Sequence, residues 1–216
     1  MKYSKHIFIT SALLVSFFIN SAPFDSTYVA KPSPTVLLKN ANIYDGDGNE
    51  FLGHDLLIKS GKIEKLANDI DIASIDGELE VLDLTGMWVT PGIIDLHSHM
   101  GVYSAPGVKT SSDGNESTSP VTADVWAEHS VWTQDPQFSL ALQGGITTFH
   151  VLPGSANLIG GRGTTFKNIQ SNTIQGMKFP SAPHSLKMAC GENPKRVYGS
   201  RKRAPSTRMG NIAGYR

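Results

Sequence analysis

The stretch Pro91-Gly-Ile-Ile-Asp-Leu-His-Ser-His-Met-Gly101 limits most tightly what this chain can become. Ile93-Ile94-Asp95-Leu96 reads as a buried strand, bounded by Pro91-Gly92 on one side and Gly101 on the other. Side chains alternate along a strand, so Asp95, His97 and His99 fall on one face. Two imidazoles about 7 Å apart along the backbone can converge on one metal ion. The competing reading is two histidines that only hydrogen-bond at a strand end. The Asp-x-His-x-His pattern after an apolar strand favours the metal.

Bulk properties leave this open and close other routes. The 216 residues suffice for one or two domains with a real core. Lys plus Arg equals Asp plus Glu at 19 each, which points away from a nucleic-acid binder. Apolar content is ordinary, which points away from a disordered chain. Cys190 stands alone, so neither an internal disulfide nor a Cys-rich zinc knuckle can form. Lys2 and Lys5 precede an apolar run from Ile7 to Ile19. At about 13 residues it is shorter than the roughly 20 of a membrane span and reads as a secretory signal over residues 1–22. Ser21-Ala22 offers small residues for cleavage, and an uncleaved membrane anchor is the alternative. The expected location is outside the cytoplasm, periplasmic or secreted.

Pro23, Pro32, Ser33 and Pro34 mark residues 23–35 as a linker. Residues 36–90 read as a small all-β unit. It contains a strand closed by the Asp-Gly-Asp-Gly turn at 45–48 and a hairpin about Ser60-Gly61. Two further strands are separated by Thr85-Gly86. The Asp-Gly-Asp-Gly segment lacks the glutamate that closes a calcium loop, since Leu56 occupies that place, and is read as a turn. From residue 91 the texture changes. A helix is expected around Phe138–Leu142 with Gly144-Gly145 as its stop, followed by the strand Ile146-Thr-Thr-Phe-His-Val151. Strand, helix, strand is a βαβ unit in a parallel sheet. Gly154–Gly163 is expected as a glycine-rich loop without a nucleotide fingerprint. Residues 110–120 read as a surface loop, and Ser185-Leu-Lys-Met188 as a short strand. The segment from Lys195 to Arg216 is basic, either solvated or facing acidic groups, with a polyanion contact as the other reading.

Taken in order, Val36–Gly48, Asp55–Leu66, Val81–Gly101 and Gly144–Gly161 resemble the amidohydrolase superfamily, in particular its imidazolonepropionase-like branch. The resemblance implies an α/β fold: a small β-sandwich over 36–90 and a (β/α)8 barrel of which 91–216 would be the first half. A barrel of this kind takes about 250 residues. The chain is therefore expected to be an N-terminal piece of a longer protein, inactive alone, with the general-base aspartate beyond Arg216. The resemblance further implies one or two divalent metals, usually zinc, and hydrolysis of a C–N bond in an amide or cyclic amide. His97 and His99 would be ligands, and Asp95 would orient an imidazole. The third ligand in such proteins is a glutamate or a carboxylated lysine. Glu192 is the preferred candidate and Lys187 the competing one. His150 is read as a core histidine, and His129 and His184 are left unassigned.

A small-molecule substrate is expected and no nucleic acid. Membrane contact is expected only through an uncleaved signal, and homo-oligomerisation is open. The alternative class is a non-catalytic binding or scaffold protein on the same fold. Within the superfamily, a deaminase or peptidase is the other reading.

Overall fold

The computed structural model describes residues 22–216. The signal reading of residues 1–22 thus lies almost wholly outside the described residues. Among the described residues no helix is long and apolar enough to cross a membrane.

The first sheet is built from β1 (Thr35–Tyr44), β2 (Glu50–Lys59), β3 (Lys62–Ala67), β4 (Leu79–Asp83) and β5 (Trp88–Val89). Its order is β3-β2-β1-β4, with β5 also on β1. β1, β2 and β3 are antiparallel neighbours, whereas β4 and β5 run parallel to β1. Ser60 and Gly61 both adopt positive φ, the condition for a two-residue turn that matches strand twist. The Asp-Gly-Asp-Gly segment is a turn closed by its own aspartate: Asp45 Oδ1 accepts from the Asp47 and Asn49 amides. β1 slips register between Leu38 and Ala41, beside Asn40 at φ 57°. Buried Asp55 fills that irregularity, accepting the Asn40 and Ile70 amides and pairing with Lys39 at 3.0 Å. Leu37, Leu57 and Ile70 form one small core, and Ala41, Ile43 and Leu56 another.

The second sheet has the order β6-β7-β8-β9: β6 (Ile93–Ser98), β7 (Ile146–Val151), β8 (Ile159–Lys167) and β9 (Ser185–Met188). β6 and β7 are parallel and joined through α1 (Gln137–Gln143), which ends at Gly144. β8 is antiparallel to both of its neighbours, so β6, β7 and β9 share one direction. The chain is therefore an α/β protein with two mixed sheets. The expected glycine-rich loop is in its second half this reversed strand. Its glycines lie where neighbours press on the backbone: a Cβ on Gly161 would come within 2.5 Å of Val125. α2 (Ile174–Met177), α3 (Glu192–Gly199) and α4 (Arg208–Tyr215) complete the described elements.

The larger core lies on one face of this sheet, where Phe138, Phe149 and Phe166 stack at 5.2 and 5.8 Å. β6, expected as buried, exposes Ile93, Ile94 and Leu96 at 53%, 59% and 75%. The reason is position: among the described residues β6 is an edge strand, paired with β7 alone.

Residues 24–28, expected as linker, are docked. The Phe24 amide donates to Glu128 Oε1 at 2.6 Å, and Lys178 Nζ donates to the Phe24 carbonyl at 2.5 Å. Thr27 N–H reaches the Gln175 carbonyl, and Ser26 Oγ the Lys178 carbonyl.

Candidate active site at the ends of the second sheet

His97 is the fifth residue of β6, and His99 follows its end. Their rings meet edge to face, centroids 5.2 Å apart. The exit of β6 is stitched to that of β7 through one residue. Leu152 N–H donates to the Ser98 carbonyl at 2.9 Å, and His99 Nδ1 lies 2.8 Å from the Leu152 carbonyl. A carbonyl only accepts, so His99 Nδ1 carries a proton, and in the neutral imidazole the lone pair is then on Nε2. This is the tautomer a metal-ligating imidazole needs, fixed by a main-chain acceptor.

Lys187, buried on β9, places Nζ 3.1 Å from His97 Nε2. Burial lowers the Lys187 pKa below the ordinary lysine value. The Lys187 charge first, then burial and His99, hold His97 below the ordinary imidazole value, against the opposing pull of Asp95. Asp95 itself accepts the His97 main-chain amide at 3.0 Å. It thus shapes the backbone between the two residues, where the sequence suggested a carboxylate on an imidazole.

Glu192 opens α3, exposed, with Oε1 3.5 Å from Arg196 one turn on. The structure therefore brings Lys187, not Glu192, to the histidine pair. The physical reason is strand alternation against helix geometry: Lys187 is on the inward face of β9, whereas Glu192 lies beyond the strand and is claimed by its i+4 neighbour. Among the described residues no three His, Cys, Asp or Glu side chains converge as a metal set. The two imidazoles and the buried amine are the donors present.

His150, on β7, bonds Thr165 Oγ1 at 2.8 Å and Ser185 Oγ at 2.6 Å. Burial, then His184 and His97, hold its pKa low. His184 packs edge-on against Trp126, and His129 tilts against Phe24.

The loop after His99 is held by a residue that sequence reasoning missed. Buried Asp135 accepts the Gly101 and Ala105 amides, and that of Gln137 in the first turn of α1. The signal was the Asp-Pro pair just before the helix, a helix-start pattern. Tyr103 in this loop packs edge-on against His99 at 5.6 Å and accepts a hydrogen bond from Asn115. Asn115 in turn lines a neighbouring cavity of about 600 Å³ together with Asp113, Glu116, Asp124 and Trp126.

No protein-family model matches the chain. It is 34% identical over 171 residues to the amidohydrolase tasK of Hapsidospora irregularis, covering 75% of this chain and 17% of that protein. It is 32% identical over 119 residues to imidazolonepropionase of Chromobacterium violaceum, covering 47% of this chain and 28% of the relative. The solved structure of an amidohydrolase from Thermotoga maritima superposes with a TM-score of 0.74 at 42% identity, over 83% of this chain and 45% of that one. The chain thus has amidohydrolases as its homologues, and it spans less than half the length of each of these three relatives.

Proposed function

We propose that this chain carries the first part of the hydrolytic centre of a metal-dependent amidohydrolase acting on a non-peptide C–N bond, in an amide or cyclic amide. The observation that carries this is the histidine pair. Two imidazoles stand at the exit of one strand, His99 with Nε2 free by tautomer, and a buried lysine amine completes the group. The resemblance to relatives named imidazolonepropionase and dihydroorotase supports the same bond class. Under this reading β6, β7 and β9 are strands of a (β/α)8 barrel, and β1–β5 belong to a β-sandwich beside it.

The donor set fits a divalent cation, with zinc first by its preference for imidazole. His97 and His99 would hold it, with Lys187 as a third donor once its amine adds carbon dioxide and becomes a carbamate with loss of one proton. When bound, such a cation acts as a Lewis acid on the scissile carbonyl and on water. The chain's own residues hold the geometry. Leu152 keeps His99 in one tautomer, Asp95 fixes the backbone between the ligands, and Asp135 and Tyr103 shape the loop that covers His99. The substrate is a small molecule, and the protein works outside the cytoplasm, as Lys2, Lys5 and the apolar run suggest.

The test is zinc content of the freshly purified full-length protein. The expected result is bound zinc in the parent, lost at least tenfold in His97→Ala and in His99→Ala. Lys187→Ala should weaken it more than Glu192→Gln, and the reverse order would restore the glutamate as third ligand. Parent protein without zinc, and without affinity for added zinc, sinks the hydrolase reading and leaves a binding protein on this fold.

A further inference from the structure

We propose that His150 is a positioning residue: its imidazole bridges three strands and sets where β9 presents Lys187 to His97. The inference rests on the metal-site reading above. His150 on β7 is paired in register with Thr165 on β8, an ordinary neighbour. Its other nitrogen bonds Ser185, which lies one strand further away on β9. Neighbouring strands lie about 4.8 Å apart, so the ring must reach across the whole of β8.

It can do so because of Gly163. Gly163 is the register partner of Ser185, and a Cβ there would lie 2.7 Å from His150 Nε2 and 2.6 Å from Ser185 Oγ. No real Cβ makes such contacts, so a side chain at 163 would break the bridge. Further along β8, past a register shift, Gly160 faces Lys187, whose Cγ would lie 3.9 Å from a Cβ there.

The consequence falls on Lys187. Ser185 and Lys187 are two residues apart in β9 and share its face. β9 has only four residues and, among the described residues, pairs with β8 alone. Its ladder is irregular where Ile159 pairs with Met188 and Gly161 with Lys187. A slip of one residue would turn Lys187 to the opposite face. The His150–Ser185 bond resists that slip at the first residue of the strand. Both ring nitrogens face hydroxyls, which donate or accept as needed, so a neutral imidazole satisfies both bonds. With both nitrogens so used, His150 holds the strand and does not serve as a ligand.

The experiment uses the full-length protein and two readouts. The first is zinc affinity by competition with a chelator. Ser185→Ala and His150→Phe should each weaken it about 10- to 100-fold, the range for residues that orient ligands. The double variant should be no weaker than His150→Phe alone, and His150→Gln should recover part of the loss. The second readout needs no metal: acylation of Lys187 by acetic anhydride, followed by peptide mass spectrometry. His150→Phe and Ser185→Ala should label Lys187 several-fold faster than the parent, because the amine leaves its buried place beside His97. Ser185→Ala removes a single hydroxyl, so the proposal stays testable if His150→Phe does not fold. If His97→Ala abolishes zinc binding while both new variants keep affinity and labelling within twofold of the parent, His150 does not position Lys187. If His97→Ala leaves zinc affinity unchanged, the metal reading itself has failed and takes this inference with it.

Discussion

The buried pair Glu128–Lys178 gives the sharpest test of how the second sheet is held. Glu128 is fully buried and Lys178 nearly so, with Oε2 2.7 Å from Nζ. The ammonium directs its aligned hydrogen bond to the Phe24 carbonyl, and the carboxylate takes the Phe24 amide. One peptide segment is thus gripped at both polar atoms of a single residue by two opposite buried charges. Lys178→Met keeps much of the volume and removes the cation. It leaves a buried carboxylate with one amide donor, a change that costs about 3–5 kcal/mol in comparable pairs. With a urea slope near 3 kcal/mol/M, that lowers the unfolding midpoint by about 1 to 1.7 M. The double variant Glu128→Gln/Lys178→Met removes both charges and keeps a side-chain carbonyl for the Phe24 amide. It should recover all but about 1–2 kcal/mol. The assay is urea unfolding of the full chain at neutral pH, followed by far-ultraviolet circular dichroism. A loss below about 1 kcal/mol in Lys178→Met would refute the reasoning. So would a double variant as unstable as the single one, because the loss would then come from packing and not from an unpaired charge.

Two further tests address the first sheet and the basic C-terminal segment. Burial pushes the Asp55 carboxyl up, but the Asn40 and Ile70 amides and the Lys39 ammonium outweigh it and hold the pKa below the ordinary carboxylate value. The folded pKa is lowered, so Asp55 stabilises above its unfolded pKa of about 3.9, and this contribution fades as pH falls through the lower folded value. The urea midpoint of the parent should drop between about pH 5 and pH 2, and Asp55→Asn should show a shallower drop; equal slopes would contradict the assignment. Tyr198 is fully buried, its hydroxyl 2.5 Å from the Ser119 carbonyl and 2.7 Å from Asn157 Oδ1. Tyr198→Phe removes the one hydroxyl proton those two acceptors share, at a cost of about 1–3 kcal/mol. It should speed glutamyl-endopeptidase cleavage after Glu116, and unchanged cleavage would show that the loop is held by other contacts.

Features with a local cause could be read from the chain. The Ser60-Gly61 hairpin, the self-closed Asp45 turn and the helix stop at Gly144 all follow from residue types within a few positions. The histidine pair was legible for the same reason, since alternation along one strand needs no tertiary knowledge. β8 was not legible, because glycine is a poor strand residue on its own. Its glycines are explained only by what crosses them, the His150 ring and Val125. The docking of Phe24 was equally invisible, since its partners are 104 and 154 residues away. Within the basic segment Arg196 meets the acid Glu192, one turn before it on the same helix. Arg201 and Arg203 donate to the Ser117 and Thr118 carbonyls, and a main-chain acceptor leaves no mark in composition.

The choice between Lys187 and Glu192 shows where residue chemistry stops and geometry takes over. By type alone glutamate is the better donor, because it is anionic at neutral pH and needs no modification. Position reverses the order. Lys187 occupies an inward place on β9, and desolvation there favours the neutral amine. Glu192 begins α3, where an acidic residue favours the helix's positive end and meets Arg196 on the same side. Each residue is thus well used where it stands, and neither arrangement conflicts with its local structure. Under the proposed metal site, what selects between them is the register of β9, which the proposal ties to a histidine two strands away that bonds Ser185 across Gly163.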